Sequence, residues 1–210
     1  MKKLILSALT VVFSLTACAQ NQDIKLPEPV KTGGKPLMDC LAERKTLRDF
    51  DETKTLDRQT LSNLLWATYG YNREDKRTAP TSRNKQEMDI IVALPEGAYW
   101  WDAKMNVLKL IAKGDFRKQT GSQPFVEKAA VNLVFVCDIP RSETGGDNQK
   151  LTEATYANAG FMSQNVYLFC ASEGLGTVVR GYVPKDELSK LLGLGKDKLI
   201  VLAQSVGYVK

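Results

Sequence analysis

The chain has 210 residues, 43% of them hydrophobic and 25% charged, with a formal net charge of +5. That length supports one domain with a sizeable core and not two, and the charge is too mild to argue for a nucleic-acid partner. Histidine is absent altogether, which excludes imidazole-based nucleophilic triads, His-ligated zinc and imidazole general-base catalysis, so an enzyme built on this chain needs chemistry from elsewhere, most naturally an organic cofactor.

The first nineteen residues set Lys2 and Lys3 before an apolar run over 4–15 that ends in Thr16, Ala17, Cys18 and Ala19. This is the pattern of a secretory leader, too short for a membrane span. Leu15-Thr16-Ala17-Cys18 has the form of a lipoprotein box, which would leave a lipid anchor on Cys18, whereas Ala17-Cys18-Ala19 also suits simple cleavage. The expectation is an exported protein, periplasmic or anchored at the outer membrane, or alternatively secreted and soluble. Without Lys2 and Lys3 the charge is +3. Residues 20–36 are polar, with Pro27, Pro29, Pro36 and Gly33-Gly34, and read as a flexible tether. The folded domain is expected over 37–210. Its three cysteines, Cys40, Cys137 and Cys170, show no paired spacing, so a disulfide framework is not expected.

Within the domain, Asp57 is placed to cap a helix carrying Leu61, Leu64, Leu65 and Thr68 and ending at Tyr69-Gly70. Residues 72–86 read as a polar loop and 88–94 as a buried strand closed by a Pro95-Glu96-Gly97 turn. Residues 98–102 and 106–112 read as a hairpin, 125–130 as weakly helical, and 131–137 as the strongest buried strand. A loop is expected over 141–149, then a long helix over 152–172. Asn158, Ser163, Gln164 and Asn165 would be costly in lipid and argue against a membrane span there. A strand over 177–182, a helix over 185–192 after Pro184 and a last strand over 199–206 complete the chain. Helices and strands interleave without a regular βαβ repeat, which favours α+β.

Gly174-Leu175-Gly176 follows a helix and lacks a third glycine, so it reads as a helix C-cap with Gly174 left-handed, not as a dinucleotide fingerprint. Trp66, Trp100 and Trp101 read as core or interface residues. In 43-ERKTLRDF-50, Arg44, Lys45 and Arg48 surround Thr46. Taken alone the cations are an ordinary solvated helix end, but with a hydroxyl among them they also offer the donors that a phosphate monoester accepts.

The order Arg44-Lys45-Thr46-Leu47-Arg48-Asp49-Phe50, then Pro80-Thr81-Ser82-Arg83-Asn84-Lys85-Gln86, then Gly160-Phe161-Met162-Ser163-Gln164-Asn165, then Gly174-Leu175-Gly176 resembles the nitroreductase-type FMN-dependent oxidoreductases, and less specifically the branch that oxidises azoline rings in modified peptides. The resemblance implies a central, mostly antiparallel sheet flanked by helices and a homodimer with FMN at the interface, the neutral helix over 152–172 offering the dimer surface. It implies that Arg44, Lys45 and Thr46 hold the phosphate and ribityl chain, and that Arg48 supports the N1 and O2 edge of the flavin. Asn84 falls where the family bonds the pyrimidine edge through its amide, Gly181 where a backbone N–H approaches N5, and Ser82 and Arg180 are further cofactor-binding candidates. Arg180 stands where some relatives have Glu, Lys45 replaces the more usual Arg or His, and Lys210 remains from a basic tail that binds phosphate in relatives. No side chain is expected to be catalytic in its own right, since flavin N5 carries the chemistry. NAD(P)H is the family's usual electron donor, although export would make it scarce, and the substrate would be a small molecule or a peptide. The alternative is an exported lipoprotein that keeps the fold as a non-catalytic flavin- or ligand-binding module.

Overall fold

The computed structural model describes residues 23–210; the leader, Cys18 and its two processing sites lie outside the described residues. In chain order the elements are β1 (Ile24–Lys25), α1 (Leu37–Glu43), α2 (Arg58–Tyr69), β2 (Tyr71–Arg73), β3 (Lys76–Arg77), β4 (Met88–Leu94), β5 (Gly97–Asp102), β6 (Val107–Lys113), β7 (Val131–Asp138), α3 (Ile139–Ser142), α4 (Asn148–Glu173), β8 (Gly176–Arg180), α5 (Lys185–Leu191) and β9 (Lys198–Gly207). Seven strands form one sheet in the order β1-β6-β5-β4-β7-β9-β8, every neighbouring pair antiparallel. The fold is α+β, as the interleaved pattern predicts.

Burial on both faces explains the apolar run over 133–137 in β7. Leu133 and Phe135 join Ile90 and Val92 of β4 in a core with Leu61, Leu64 and Leu65 of α2 and Met162 and Val166 of α4. Val134 and Val136 point the other way, with Ile91, onto Leu188 and Leu192 at α5. A central strand sandwiched between helices has no polar face to alternate with, because side chains on both faces leave water. The same packing leaves Cys40, Cys137 and Cys170 buried and free.

α4 begins one turn earlier than the sequence suggests. Asp147 accepts from the Lys150 N–H at 3.0 Å, a side-chain N-cap that recruits part of the expected 141–149 loop, while 139–142 closes into α3. Gly174 ends α4 at φ 69°, the left-handed C-cap expected. At 26 residues α4 is about 39 Å long, yet no helix among the described residues is long and apolar enough to cross a membrane. Residues 125–130 form turns instead of a helix, because the segment is spent on tertiary contacts: Phe125 packs towards Phe50 and the Val126 carbonyl accepts from Asn132.

The largest departure is residues 23–36. They are not a free tether but a strap across the domain. β1 pairs with β6 and Leu26 is buried. The Pro27 carbonyl accepts from Ser62 Oγ at 2.5 Å and from Asn106 Nδ2 at 2.7 Å. The Val30 N–H reaches Asn63, and the Lys35 N–H reaches Ser172. Composition predicts that such a segment cannot build a core of its own. It does not forbid the domain from supplying partners for its backbone.

Candidate functional site

Arg44 is the C-cap of α1, and the chain from there to Asp51 runs past the edge strand β8 at Leu47 and then along the C-terminal residues 208–210. The Leu47 N–H donates to the Thr177 carbonyl at 3.0 Å, the Asp51 N–H to Tyr208 at 2.9 Å and the Lys210 N–H to Asp49 at 3.1 Å, while Phe50 bridges Val209. Gly176 makes the approach feasible: a Cβ there would strike Val209, with Leu47 Cβ only 3.2 Å away. Tyr167 of α4 completes the clamp. Its hydroxyl lies 3.0 Å from Thr46 Oγ1 and accepts from the Val179 N–H at 3.2 Å.

The cations are spread along this clamp by aromatic rings. Arg44 lies 5.1 Å from the Tyr167 ring centre and Arg48 6.0 Å from that of Phe125, within cation–π range. Lys45 and Arg48 are exposed, and Arg44 and Thr46 half-buried. Lys210 is in loose reach of Asp49 at 3.8 Å. Elsewhere Arg58, Arg117, Arg141 and Lys198 all hold carboxylates. Arg44, Lys45 and Arg48 have none within salt-bridge distance among the described residues. Three unpaired cations and a hydroxyl on a fixed backbone are a donor set for an anion, and phosphate fits it. The cleft beside Lys45, Leu47, Tyr167 and Thr177 is about 140 Å³, below the roughly 300–1,000 Å³ of a complete small-molecule pocket.

The 80–86 loop lies apart. It is anchored to the β2–β3 hairpin and the end of α3, and no hydrogen bond joins it to 44–48 among the described residues. Arg83, Asn84 and Gln86 all have positive φ, at 54°, 55° and 52°, a strained backbone for residues with a Cβ. The surroundings over-determine it. The Gln86 side chain accepts from Arg77 Nε at 2.8 Å and donates to the Asp75 carbonyl at 2.6 Å, and its backbone carbonyl accepts from Arg141 at 2.8 Å. Arg77 itself is stacked between Tyr69 and Tyr71 at 4.6 and 4.1 Å, where burial lowers its pKa. Asn84 donates to the Asp75 carbonyl at 3.0 Å, so its amide is partly spent. Ser82 is exposed, and Lys85 bonds the Ser142 carbonyl.

Arg180 and Gly181 part company. Gly181 is exposed, with only Leu202 near a hypothetical Cβ, at 3.8 Å. Arg180 is buried, its guanidinium turned inwards onto Thr120 and Asn132, so its side chain is not available to grip a cofactor. Tyr167, Phe125, Arg77 and Arg141 escaped the sequence reading. Tyr167 alone carried a signal, lying one helical turn beyond Ser163 in the Gly160-to-Asn165 motif. The others act through long-range contacts that no local pattern announces.

The nitroreductase family profile matches residues 41–208. The chain belongs to the nitroreductase family. A solved protein of Ralstonia eutropha JMP134, assigned as a nitroreductase, is 40% identical over 90% of each chain with a TM-score of 0.83. A Methanocaldococcus jannaschii protein, also assigned as a nitroreductase, is 26% identical over 87% of this chain and 95% of its own length. An NADPH-flavin oxidoreductase of Vibrio harveyi is 30% identical over 70% of this chain and 66% of its own length. Flavin-dependent oxidoreduction is the class to which the nitroreductase motifs pointed, and the antiparallel sheet flanked by helices is the nitroreductase fold.

Proposed function

We propose that this nitroreductase-family chain is an FMN-dependent oxidoreductase that exchanges two-electron equivalents between a donor of the NAD(P)H type and a small or peptide-borne acceptor. The observation that carries the reading is the unpaired cation set Arg44, Lys45 and Arg48 around Thr46. The flavin, when bound, supplies a ring nitrogen, N5, that accepts or returns two electrons with a proton, which explains why a chain without histidine can be an enzyme. Arg44, Lys45 and Thr46 bind the phosphate. Arg48 places a fixed cation at the electron-rich edge, where it favours the reduced state more than the oxidised one. The Gly181 backbone N–H is left accessible by the missing side chain and orients N5.

The site is completed by a second copy of the chain. Asn158, beside the 80–86 loop through Glu87, and Tyr167, beside Thr46, are nine residues apart on α4, roughly 14 Å along its axis. Between and around them α4 exposes Tyr156, Ala157, Gly160, Phe161 and Gln164, with Tyr156 and Phe161 still 45% and 49% exposed, an apolar stripe that suits an isologous contact. Two such helices brought together would set the Ser82–Asn84 loop of one copy against the cations of the other. The leader supports export, with Cys18 as the point of lipid attachment, and mass measurement of the native N-terminus tests it.

Purified protein should be yellow, or become so with added FMN, and should bleach with dithionite. It should sediment as a dimer. Colourless protein that ignores FMN in both redox states refutes the reading.

A further inference from the structure

Arg180 is 3% exposed, yet no carboxylate lies within salt-bridge distance of it among the described residues. Its Nη1 donates to the Thr120 carbonyl at 2.6 Å, and its Nη2 to Thr120 Oγ1 and Asn132 Oδ1, both at 3.2 Å; Nε has no partner among the described residues. These acceptors are neutral, so the full positive charge remains in the interior. Other arginines drawn in from the surface are served differently: Arg117 has Asp115 at 2.7 Å, the partly exposed Arg141 has Asp89 and Asp138, and Arg77 is stacked between Tyr69 and Tyr71. At Arg180 the loop instead makes room, because a Cβ on Gly121 would fall on Nη1. Burial pushes the guanidinium pKa down to about 10. A buried cation without an anion is costly, and a fold that builds a niche for one retains it against that cost.

The niche touches both sides of the proposed site. Arg180 is the last residue of β8 and precedes exposed Gly181. The loop it grips at Thr120 continues to Phe125, whose ring lies beneath Arg48.

We propose that Arg180 is a redox-poising residue: its buried, unneutralised guanidinium acts across Gly181 on the bound cofactor and favours the more negatively charged reduced form. The proposal rests on the flavin reading above. Uptake of two electrons and one proton adds one negative charge to the flavin, and a fixed cation in the interior acts on it without the screening that salt imposes on exposed Arg48. Arg180 is thus a positioning residue for Thr120 and Gly121 and an electrostatic one for the cofactor, without touching it.

The test compares the wild type with Arg180→Gln, which keeps a donor but loses the charge, and Arg180→Lys, which keeps the charge. Each apoprotein is titrated anaerobically with FMN, oxidised and dithionite-reduced. In R180Q the preference for reduced over oxidised FMN should fall about tenfold, equivalent to a midpoint about 30 mV more negative, while R180K stays close to wild type. Equal weakening of both forms in R180Q, no change at all, or R180K matching R180Q would overturn the proposal and leave Arg180 a brace. Should R180Q fail to fold, the wild type alone decides: between about 50 and about 500 mM salt its reduced-to-oxidised affinity ratio should lose only the share that exposed Arg48 supplies and keep a salt-independent remainder of about tenfold, and a collapse of that ratio to no preference would assign the poise to exposed cations. A wild type that binds FMN in neither state refutes the flavin reading itself, a result distinct from all of these.

Discussion

Tyr167→Phe isolates the joint on which the cation segment depends. The substitution keeps the ring that lies 5.1 Å from Arg44 and removes only the hydroxyl, which lies 3.0 Å from Thr46 Oγ1 and 3.2 Å from the Val179 nitrogen. Each hydrogen bond contributes about 0.5–1.5 kcal/mol net. Tyr167 is only 8% exposed, so water replaces the lost hydroxyl poorly at Val179, and the expected destabilisation is about 1–2 kcal/mol. Urea unfolding should show this as a lower midpoint at unchanged m, and melting as a fall of about 2–4 °C per kcal/mol. Because Thr46 is one of the proposed phosphate ligands, about 1 kcal/mol of the lost order should reappear as roughly fivefold weaker FMN binding. A double-mutant cycle with Thr46→Val should give a coupling of at least about 0.5 kcal/mol. Zero coupling together with unchanged FMN affinity would show that the hydroxyl does not hold the segment and that the clamp is misread.

Three further outcomes can be checked. Asp57 caps α2 through the Thr60 N–H at 2.8 Å, so Asp57→Ala should cost about 1 kcal/mol in urea unfolding. The Thr60 backbone hydrogen bond holds the Asp57 pKa below the ordinary carboxylate value; its contribution is complete above about pH 4 and lost as pH falls through the lowered folded value, so the wild type and D57A should converge in acid. Gly121→Ala would drive a Cβ onto Arg180 Nη1 and should destabilise by about 1–3 kcal/mol through overpacking, which thermal melting will show. Lys45 and Arg48 are exposed, so Lys45→Ala should weaken FMN about tenfold at low salt and by much less at about 0.5 M, where exposed charges are screened; fluorescence titration at the two salt concentrations measures the difference.

The parts of this molecule legible in its sequence are those where local chemistry and tertiary context agree. Asp57 caps a helix in any context that offers one, and the 131–137 run has too many β-branched and apolar residues for anything but a buried strand. The Gly174 cap follows from the cost of φ > 0 for a residue with a Cβ. The strap at 23–36 failed the same reasoning because its stability belongs to its partners: Ser62, Asn63, Asn106 and Ser172 lie tens of residues away and satisfy a backbone that composition alone marks as free. Arg180 shows the limit more sharply. Its position in the resemblance suggested a side chain facing the cofactor, whereas the fold turns that side chain inwards and leaves only Gly181 outside. A charged residue beside an expected ligand is ordinarily read as a contact, yet in a medium that screens poorly a cation can act on that ligand from behind the backbone. What the sequence cannot supply is the sign of Arg180's surroundings, and three neutral acceptors, with no carboxylate in reach among the described residues, make its charge available to the site.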